Sequence, residues 1–170
     1  MAKALPPKSL KKVKAEIADF AYQVKASGTD DTAAIQAALT NYSIVFLPDQ
    51  SYTISDTLLI PSNRLFYGVP GKTKITAAAA MNKPLISNSD QVSGNTGIFI
   101  KTLWFDGNKE NQTEAFSVID FRKAEYCVFE DLWVRGGLRT GIFPDVSSYG
   151  DGIMLLDCNY NTIRGGYYYE

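Results

Sequence analysis

The sequence contains no histidine among its 170 residues and only two cysteines. Catalytic sites that pair histidine with serine or cysteine are therefore excluded within this chain, as are zinc sites built on imidazole. Cys127 and Cys158 are too few for a structural thiolate site or a disulfide framework. We interpret them as free thiols, although their similar places in the repeat described below leave a stacked pair open. No metal ion or cofactor is expected, and acid–base chemistry must use carboxylates, lysine or tyrosine.

Long apolar runs and an excess of positive charge are also missing. No apolar stretch approaches the roughly 20 residues that span a bilayer, so no membrane span is predicted. The basic N-terminus lacks the apolar block of a secretory signal. The formal net charge of -1 provides no basic field for nucleic acid, which is therefore not an expected partner. With 45% apolar residues, the chain can bury the core of one compact domain.

The N-terminal residues combine one predicted helix with a cluster of lysines. From Ser9 toward Val24, apolar residues recur with the spacing of a short coiled-coil seam, at Leu10, Val13, Ile17, Phe20 and Val24. Lysines crowd the start of this helix, where the helix dipole disfavours them, at Lys8, Lys11, Lys12 and Lys14. The helix should therefore need partners, either in an oligomer or as one amphipathic helix lying on its own domain.

A second helix is predicted to begin near residue 30. Thr29 or Asp30 is expected to cap it, with Asp30 and Asp31 in its first turn, where carboxylates favour the exposed N–H groups. Its apolar stripe is predicted to contain Ala34, Ile35, Ala38 and Leu39. In an alternative interpretation, the two aspartates bind a cation or act as an acid pair.

From Ile44 onward the sequence predicts an all-β body. Short apolar segments are separated by proline and glycine turns, and no helical periodicity returns. Residues 98–107 match residues 127–136 at a constant offset, and a looser copy begins near Asn161. Repeats of this kind indicate a solenoid, in which equivalent side chains stack on neighbouring coils. Trp104, Trp133 and Tyr167 are expected to form one such column.

The opening of this body resembles a known family. The segment GTDDTAAIQAAL at residues 28–39, followed by VFLP at 45–48 and YTI at 52–54, is similar to the opening of pectate-lyase-like proteins. The segments LWFDGN at 103–108 and GDGI at 150–153 resemble later coils of that family. The resemblance covers about residues 26–169. It implies an all-β fold, a right-handed parallel β-helix preceded by a short N-terminal helix and a capping helix.

Within that family, the chain resembles the N-terminal portion of bacteriophage tailspikes and tail fibres. The resemblance implies an arm and helix at residues 1–25 for virion attachment and a trimer neck, followed at 26–170 by the capping helix and first coils. It implies a homotrimer, made in the bacterial host cytoplasm and carried on the virion tail. Its N-terminal lysines would contact other tail proteins, and its β-helix would bind host surface polysaccharide. The chain stops partway through a coil, so we expect more chain after Glu170.

The main candidates for catalytic chemistry are carboxylates. Glycan cleavage by hydrolysis needs two acids in one groove, and the available acids are Asp106, Glu130, Asp131, Asp145, Asp151 and Asp157. Turn formation accounts for Asp106 and Asp151. Glu130 and Asp131 are adjacent on a predicted strand and should point to opposite faces. No catalytic residue is therefore assigned.

Aromatic side chains are the candidate carbohydrate-binding residues. Tyr149, Trp104 and Trp133 could stack on sugar rings, or instead form a core ladder or a trimer interface. Arg135, Arg139 and Arg164 could meet acidic sugars or remain solvated. The preferred function is the attachment portion of a tailspike that begins a receptor-binding β-helix. The alternatives are a lyase or glycoside hydrolase acting on bacterial exopolysaccharide, and a non-catalytic carbohydrate-binding adhesin.

Overall fold

The structure is a computed structural model that describes residues 21–137 and 152–169, without the side chains of residues 168 and 169. Within these ranges, one α-helix, α1 (Thr32–Asn41), lies between the first two strands. The strands in chain order are β1 (Tyr22–Gln23), β2 (Ile44–Leu47), β3 (Ser51–Ile54), β4 (Leu58–Ile60), β5 (Leu65–Gly68), β6 (Lys74–Ala77), β7 (Ile86–Asn88), β8 (Phe99–Lys101), β9 (Trp104–Asp106), β10 (Ile119–Arg122), β11 (Val128–Glu130), β12 (Trp133–Arg135), β13 (Ile153–Leu156), β14 (Thr162–Arg164) and β15 (Tyr167–Tyr169).

The strands form three parallel sheets because successive coils place one strand in each of them. Sheet one has the order β1-β2-β5-β8-β11-β14, sheet two β3-β6-β9-β12-β15 and sheet three β4-β7-β10-β13. The pairing from one coil to the next is parallel in all three sheets, as in β2 with β5, β3 with β6 and β4 with β7. This arrangement confirms the predicted parallel β-helix.

Alternation along each strand separates inward from outward side chains. In β2, Val45 and Leu47 are buried, whereas Ile44 and Phe46 are only half-buried, as expected for a period of two. Because the coils pair in register, inward residues of successive coils pack on one another and build one continuous core. Its largest fully buried side chains include Tyr52, Phe66, Phe105, Phe121 and Phe129. The outward side chains are left to form the three surfaces of the solenoid.

Helix α1 packs on the first coil through Ile35, Ala38 and Leu39, which are buried. Ala34, predicted to belong to the apolar stripe, is exposed instead, because it lies beside the face that meets β2 and β4. The helix itself, with its buried stripe spaced three and four residues apart, matches the prediction.

The two aspartates before α1 lie outside its first turn, so that part of the prediction is wrong. The Asp31 carboxylate accepts hydrogen bonds from the backbone N–H groups of Ser27 and Thr53 and ties the preceding loop to β3. The Asp30 carboxylate accepts from the Ser55 hydroxyl and from Thr32, and these hydrogen bonds lower the pKa of Asp30 to about 2. Both carboxylates therefore fasten the helix to the first coil.

The predicted N-terminal helix does not extend to Val24. Tyr22 and Gln23 form β1, which pairs with β2. Val24 is buried in the core at 3% exposure, and its carbonyl accepts a hydrogen bond from the Tyr52 hydroxyl. Val24 is thus not part of a trimer seam, because sheet pairing places it inside its own β-helix. The other predicted seam and attachment positions lie outside the described residues: Leu10, Val13, Ile17, Phe20, Lys8, Lys11, Lys12 and Lys14.

Both cysteines are free thiols, and the stacked pair left open above does not form. The Cys158 sulfur accepts a hydrogen bond from the Ala124 N–H, while the Cys127 N–H donates one to Oδ1 of Asn161. The cysteines thus occupy different register positions in neighbouring coils. Burial raises the pKa of both thiols. Among the described residues, no helix has the length and apolar character needed to cross a membrane.

Candidate functional site

The outer face of sheet two carries a column of aromatic rings. Trp133 pairs in register with Trp104 on one side and with Tyr167 on the other. The ring centroids are 5.5 Å apart for the two tryptophans and 5.4 Å apart for Trp133 and Tyr167. Phe105 and Val134, the next residues along β9 and β12, point inward and are fully buried. The predicted column is confirmed, and alternation places it on the outer side of the sheet rather than in a core ladder, with Trp104 and Trp133 half-buried and Tyr167 exposed.

Two cations flank this aromatic column, which consists of Trp104, Trp133 and Tyr167. The Lys74 Nζ and the Arg135 guanidinium lie 4.9 Å and 5.1 Å from the centre of the Trp104 ring. Both also pair with the Asp106 carboxylate, at 2.7 Å and 2.8 Å. Three successive coils therefore contribute to one cluster, because Lys74, Trp104 and Arg135 lie on β6, β9 and β12.

The electrostatics of this cluster favour an anionic ligand. The Asp106 side chain is only 10% exposed, and burial acts to raise its pKa. Hydrogen bonds from Arg135 and Lys74 outweigh burial and hold the pKa of Asp106 below its usual value. Asp106 is therefore ionised at neutral pH, which leaves one formal positive charge on the three groups. Lysine has three N–H donors and arginine five, so donors remain available after pairing with Asp106.

The turn after β9 explains the Asp–Gly–Asn motif at residues 106–108. The Asp106 carboxylate accepts a hydrogen bond from the Asn108 N–H at 3.0 Å, and Asn108 adopts a left-handed φ of 55°. The Asn108 side chain donates to the Ala77 carbonyl at 3.0 Å. The predicted role of Asp106 in a turn is confirmed. Its carboxylate also organises the charged cluster, which was not predicted.

A depression of about 230 Å³ shares Asp106 and Arg135 with the cluster. Asp106 and Arg135 line one part of it, and Asn108, Lys109 and Glu110 line another. Two carboxylates therefore border one depression next to the aromatic column. Within the residues that the structure describes, no group of three or more histidine, cysteine, aspartate or glutamate side chains could hold a metal ion.

Of the remaining predicted acids, the structure describes Glu130, Asp131 and Asp157, which occupy an ion-pair cluster or turns. Glu130 pairs with Lys101 and with Arg164, and the hydrogen bond from Lys101 contributes most to lowering the pKa of Glu130. Asp131 and Asp157 occupy left-handed turn positions, with φ of 51° and 54°. Residues 138–151, which include Tyr149, Arg139, Asp145 and Asp151, lie outside the described residues.

Sequence reasoning missed Lys74 as a member of this site. The offset that relates β9 to β12 does not relate β6 to β9, because the connections between coils differ in length. The usable signal was the period of two within each strand. Lys74 immediately precedes the inward Ile75, so alternation places its side chain on the outer face.

Comparisons with known proteins agree with this fold. A family model described as "Rhamnogalacturonase A/epimerase, pectate lyase-like" matches residues 22–127. ORF18 of Geobacillus virus E2, a solved structure, superimposes with a TM-score of 0.59 over 79% of this chain and 30% of that one. At 22% identity, this likeness shows the fold alone.

Two curated relatives come from bacteriophages. "Depolymerase 1, capsule K8-specific" of Klebsiella phage K5-4 is 34% identical over 68 residues, which are 40% of this chain and 9% of that protein. The "Pre-neck appendage protein" of Bacillus phage phi29 is 26% identical over 113 residues, which are 61% of this chain and 13% of that protein. The chain therefore spans only a small part of the length of either relative.

Proposed function

Because the chain belongs to the pectate lyase-like rhamnogalacturonase A/epimerase family, we propose that it is part of a bacteriophage tail appendage that acts on bacterial surface polysaccharide. Phage proteins among its relatives support the tail assignment, one of them named for a capsule and another for the pre-neck appendage. The observation that carries the polysaccharide assignment is the aromatic column with its two cations on the outer face of sheet two.

The arrangement suits an acidic polysaccharide lying across the coils. The apolar face of a pyranose ring can pack on an indole and remove apolar surface from water. Arg135 and Lys74 lie beside Trp104, where they can donate hydrogen bonds to the carboxylate of an acidic sugar. Since the rings repeat from coil to coil, successive sugars can contact successive rings. This proposal retains Trp104 and Trp133 as carbohydrate-binding residues, with Tyr149 as a further candidate.

Trp133→Ala tests the proposal directly. Loss of the central ring should weaken binding to polygalacturonate or alginate by about tenfold, the size expected for one aromatic contact. Isothermal titration calorimetry with each polymer measures the change. Tyr42→Ala is a matched control, because Tyr42 is exposed and lies at the end of α1, away from sheet two. Equal affinity of the Trp133→Ala and unsubstituted chains would contradict the assignment.

Cleavage of the polymer is the second candidate, favoured by the depression that Asp106 and Glu110 line together. An ionised Asp106 suits a base or nucleophile rather than a general acid. The viscosity of each polymer solution, followed after addition of the protein, separates binding from cleavage. A falling viscosity would favour a lyase or hydrolase, and a constant viscosity would favour a binding module or adhesin.

We propose that the chain assembles as a homotrimer through sheet one, with residues 1–25 attaching it to other tail proteins on the virion. Supporting this, the outer face of sheet one is apolar in its first coils. Phe46 and Tyr67 have ring centroids 5.0 Å apart, and Phe99 is 40% exposed. Apolar patches of this kind are typical of protein contacts. The lysines at positions 8, 11, 12 and 14 would meet an acidic surface of the tail.

Phe99→Glu should shift the protein from trimer to monomer, because it places a charge in the apolar contact. Sedimentation velocity measures the change. Leu156→Glu is the control, since Leu156 is similarly exposed but lies on sheet three. A chain that is monomeric without substitution, or a trimer unaffected by Phe99→Glu, would argue against this contact.

A further inference from the structure

Two tyrosines form an unusual stacked pair at the corner where sheet three leads back to sheet one. Asn63, Gly97, Tyr126 and Tyr160 occupy equivalent positions before β5, β8, β11 and β14. All four have left-handed backbone conformations, with φ of 58°, 66°, 53° and 55° in that order. Asparagine and glycine tolerate this conformation, whereas a bulky aromatic residue there is an outlier. The last two coils therefore hold tyrosines where the backbone disfavours them.

These tyrosines are displayed to solvent rather than packed in the core. The rings of Tyr126 and Tyr160, called the corner pair below, are parallel to within 10° with centroids 5.0 Å apart. The two residues are 58% and 73% exposed. Burial therefore does not explain the strained backbone. Since all four coils share the conformation, the corner geometry imposes it, and the exposed aromatic rings are the feature that needs an explanation.

Gly97 leaves one face of the corner pair uncovered. Stacking on Tyr160 in the next coil directs the opposite face of Tyr126 toward the preceding coil. The equivalent position there is Gly97, which has no side chain to cover the ring. A Cβ atom added to Gly97 would lie 2.8 Å from Oδ1 of Asn63, so the Asn63 amide reaches into the space that the missing side chain leaves. An aromatic face can pack on the apolar face of a sugar. An amide near it can hydrogen-bond the hydroxyl groups of the same sugar.

A polar cleft of about 490 Å³ adjoins the corner pair. Thr96 and Glu125 line it and immediately precede Gly97 and Tyr126 in the chain. Lys123 and Asp157 also line this cleft, so its charged groups carry one formal negative charge in total. The Lys123 ammonium already donates to the Val92 carbonyl at 3.0 Å. Carboxylates accept hydrogen bonds from hydroxyl and ammonium groups but repel another carboxylate.

We propose that the corner pair, with Glu125 and Asp157, forms a second saccharide site that takes a non-acidic pyranose, either neutral or bearing an amine. The site differs from the aromatic column in position and in sign of charge, since Lys74 and Arg135 favour an acidic sugar there. The inference rests on the proposed function, in which the chain acts on bacterial polysaccharide.

The double substitution Tyr126→Asn with Tyr160→Asn tests the site without endangering the fold, because asparagine tolerates a left-handed backbone. The probe is an array of purified bacterial capsular and O-antigen polysaccharides of known charge. Binding to its non-acidic members should fall by about tenfold or more, as expected for loss of aromatic contacts. Binding to acidic members should stay within about twofold, since a change that small reflects little free energy. The thermal midpoint should be unchanged or higher.

Two further variants sharpen the result. Gly97→Asn keeps a residue that accepts the left-handed conformation but fills the gap, so it should reduce the same binding while both tyrosines remain. Tyr22→Asn with Tyr42→Asn is the matched control, because those rings also stack, at 4.1 Å, and are also exposed. That control should bind the array as the unsubstituted chain does.

The inference fails if no non-acidic polysaccharide is bound, if the Tyr126 and Tyr160 variant binds normally, or if the control loses binding equally. Loss of self-association with intact saccharide binding would assign the corner pair to a protein contact instead. Failure of the proposed function is seen separately. It would appear as absent binding to the acidic members and no effect of Trp133→Ala.

Discussion

Asn88→Ala is expected to lower the free energy of unfolding by about 3–4 kcal/mol, because it leaves several buried polar groups without partners. The Asn88 side chain is fully buried at the end of β7. Its Oδ1 accepts from the Arg122 N–H at 2.8 Å, and its Nδ2 donates to the Arg122 carbonyl at 2.9 Å. The same Nδ2 also contacts the Asp90 carbonyl at 2.7 Å. β7 ends before β10 does. At that point the Asn88 amide pairs with the backbone of Arg122, in place of a further residue of β7.

Urea unfolding followed by circular dichroism measures this loss. Asn41→Ala provides a comparison, because the Asn41 side chain also donates to a backbone carbonyl, that of Ala37, but is exposed. Its effect should stay within about 0.5 kcal/mol, as for most surface substitutions. If the two variants lost equal stability, the amide of Asn88 would not be essential to the packing of β7 on β10.

Gly107→Ala is expected to destabilise the fold by about 3 kcal/mol, near the upper end of the usual range for overpacking. A Cβ atom on Gly107 would lie 2.1 Å from the Gly136 carbonyl oxygen and 2.7 Å from its carbon. These are backbone atoms of the next coil, so they cannot rotate away as a side chain would. Separation of these coils should also disturb the pairing of Arg135 with Asp106 and the packing of the two tryptophans.

Chemical unfolding together with near-ultraviolet circular dichroism of the tryptophans tests this expectation. Gly71→Ala is the matched comparison, because nothing lies within 4 Å of an added Cβ and only the left-handed φ of 66° opposes the substitution. That conformation costs roughly 1–2 kcal/mol for a residue other than glycine. A Gly107→Ala variant as stable as the unsubstituted chain would show that the coils can separate freely at this point.

The repeat allowed much of the fold and part of the site to be predicted from sequence. Trp104 and Trp133 share one offset, so their column followed from the repeat. Its outward direction did not, because the sequence left sugar stacking, a core ladder and a trimer interface open. Val24 was assigned wrongly because local helical spacing cannot reveal that β1 pairs with β2, a contact between distant residues. Tertiary contacts of this kind override the local helix propensity.

The corner pair was missed for a different reason. Tyr126 lies two residues before β11, and Tyr160 lies two residues before β14, which pairs with β11. The two tyrosines are therefore equivalent positions of the repeat. Their left-handed backbone could not be anticipated, because tyrosine does not favour it. The shape of the corner, set by all the coils together, imposes this conformation on whichever residue occupies the position.

The alternation of inward and outward side chains has an evolutionary consequence. Residues such as Phe105 and Val134 determine whether the coils stack, while their neighbours Trp104 and Trp133 point outward and are half-buried. Substitutions of outward side chains can therefore accumulate with little penalty to folding. Coil connections of different length are likewise tolerated, since the strands stay aligned. A scaffold of this kind can exchange its outer side chains while keeping its own interior constant.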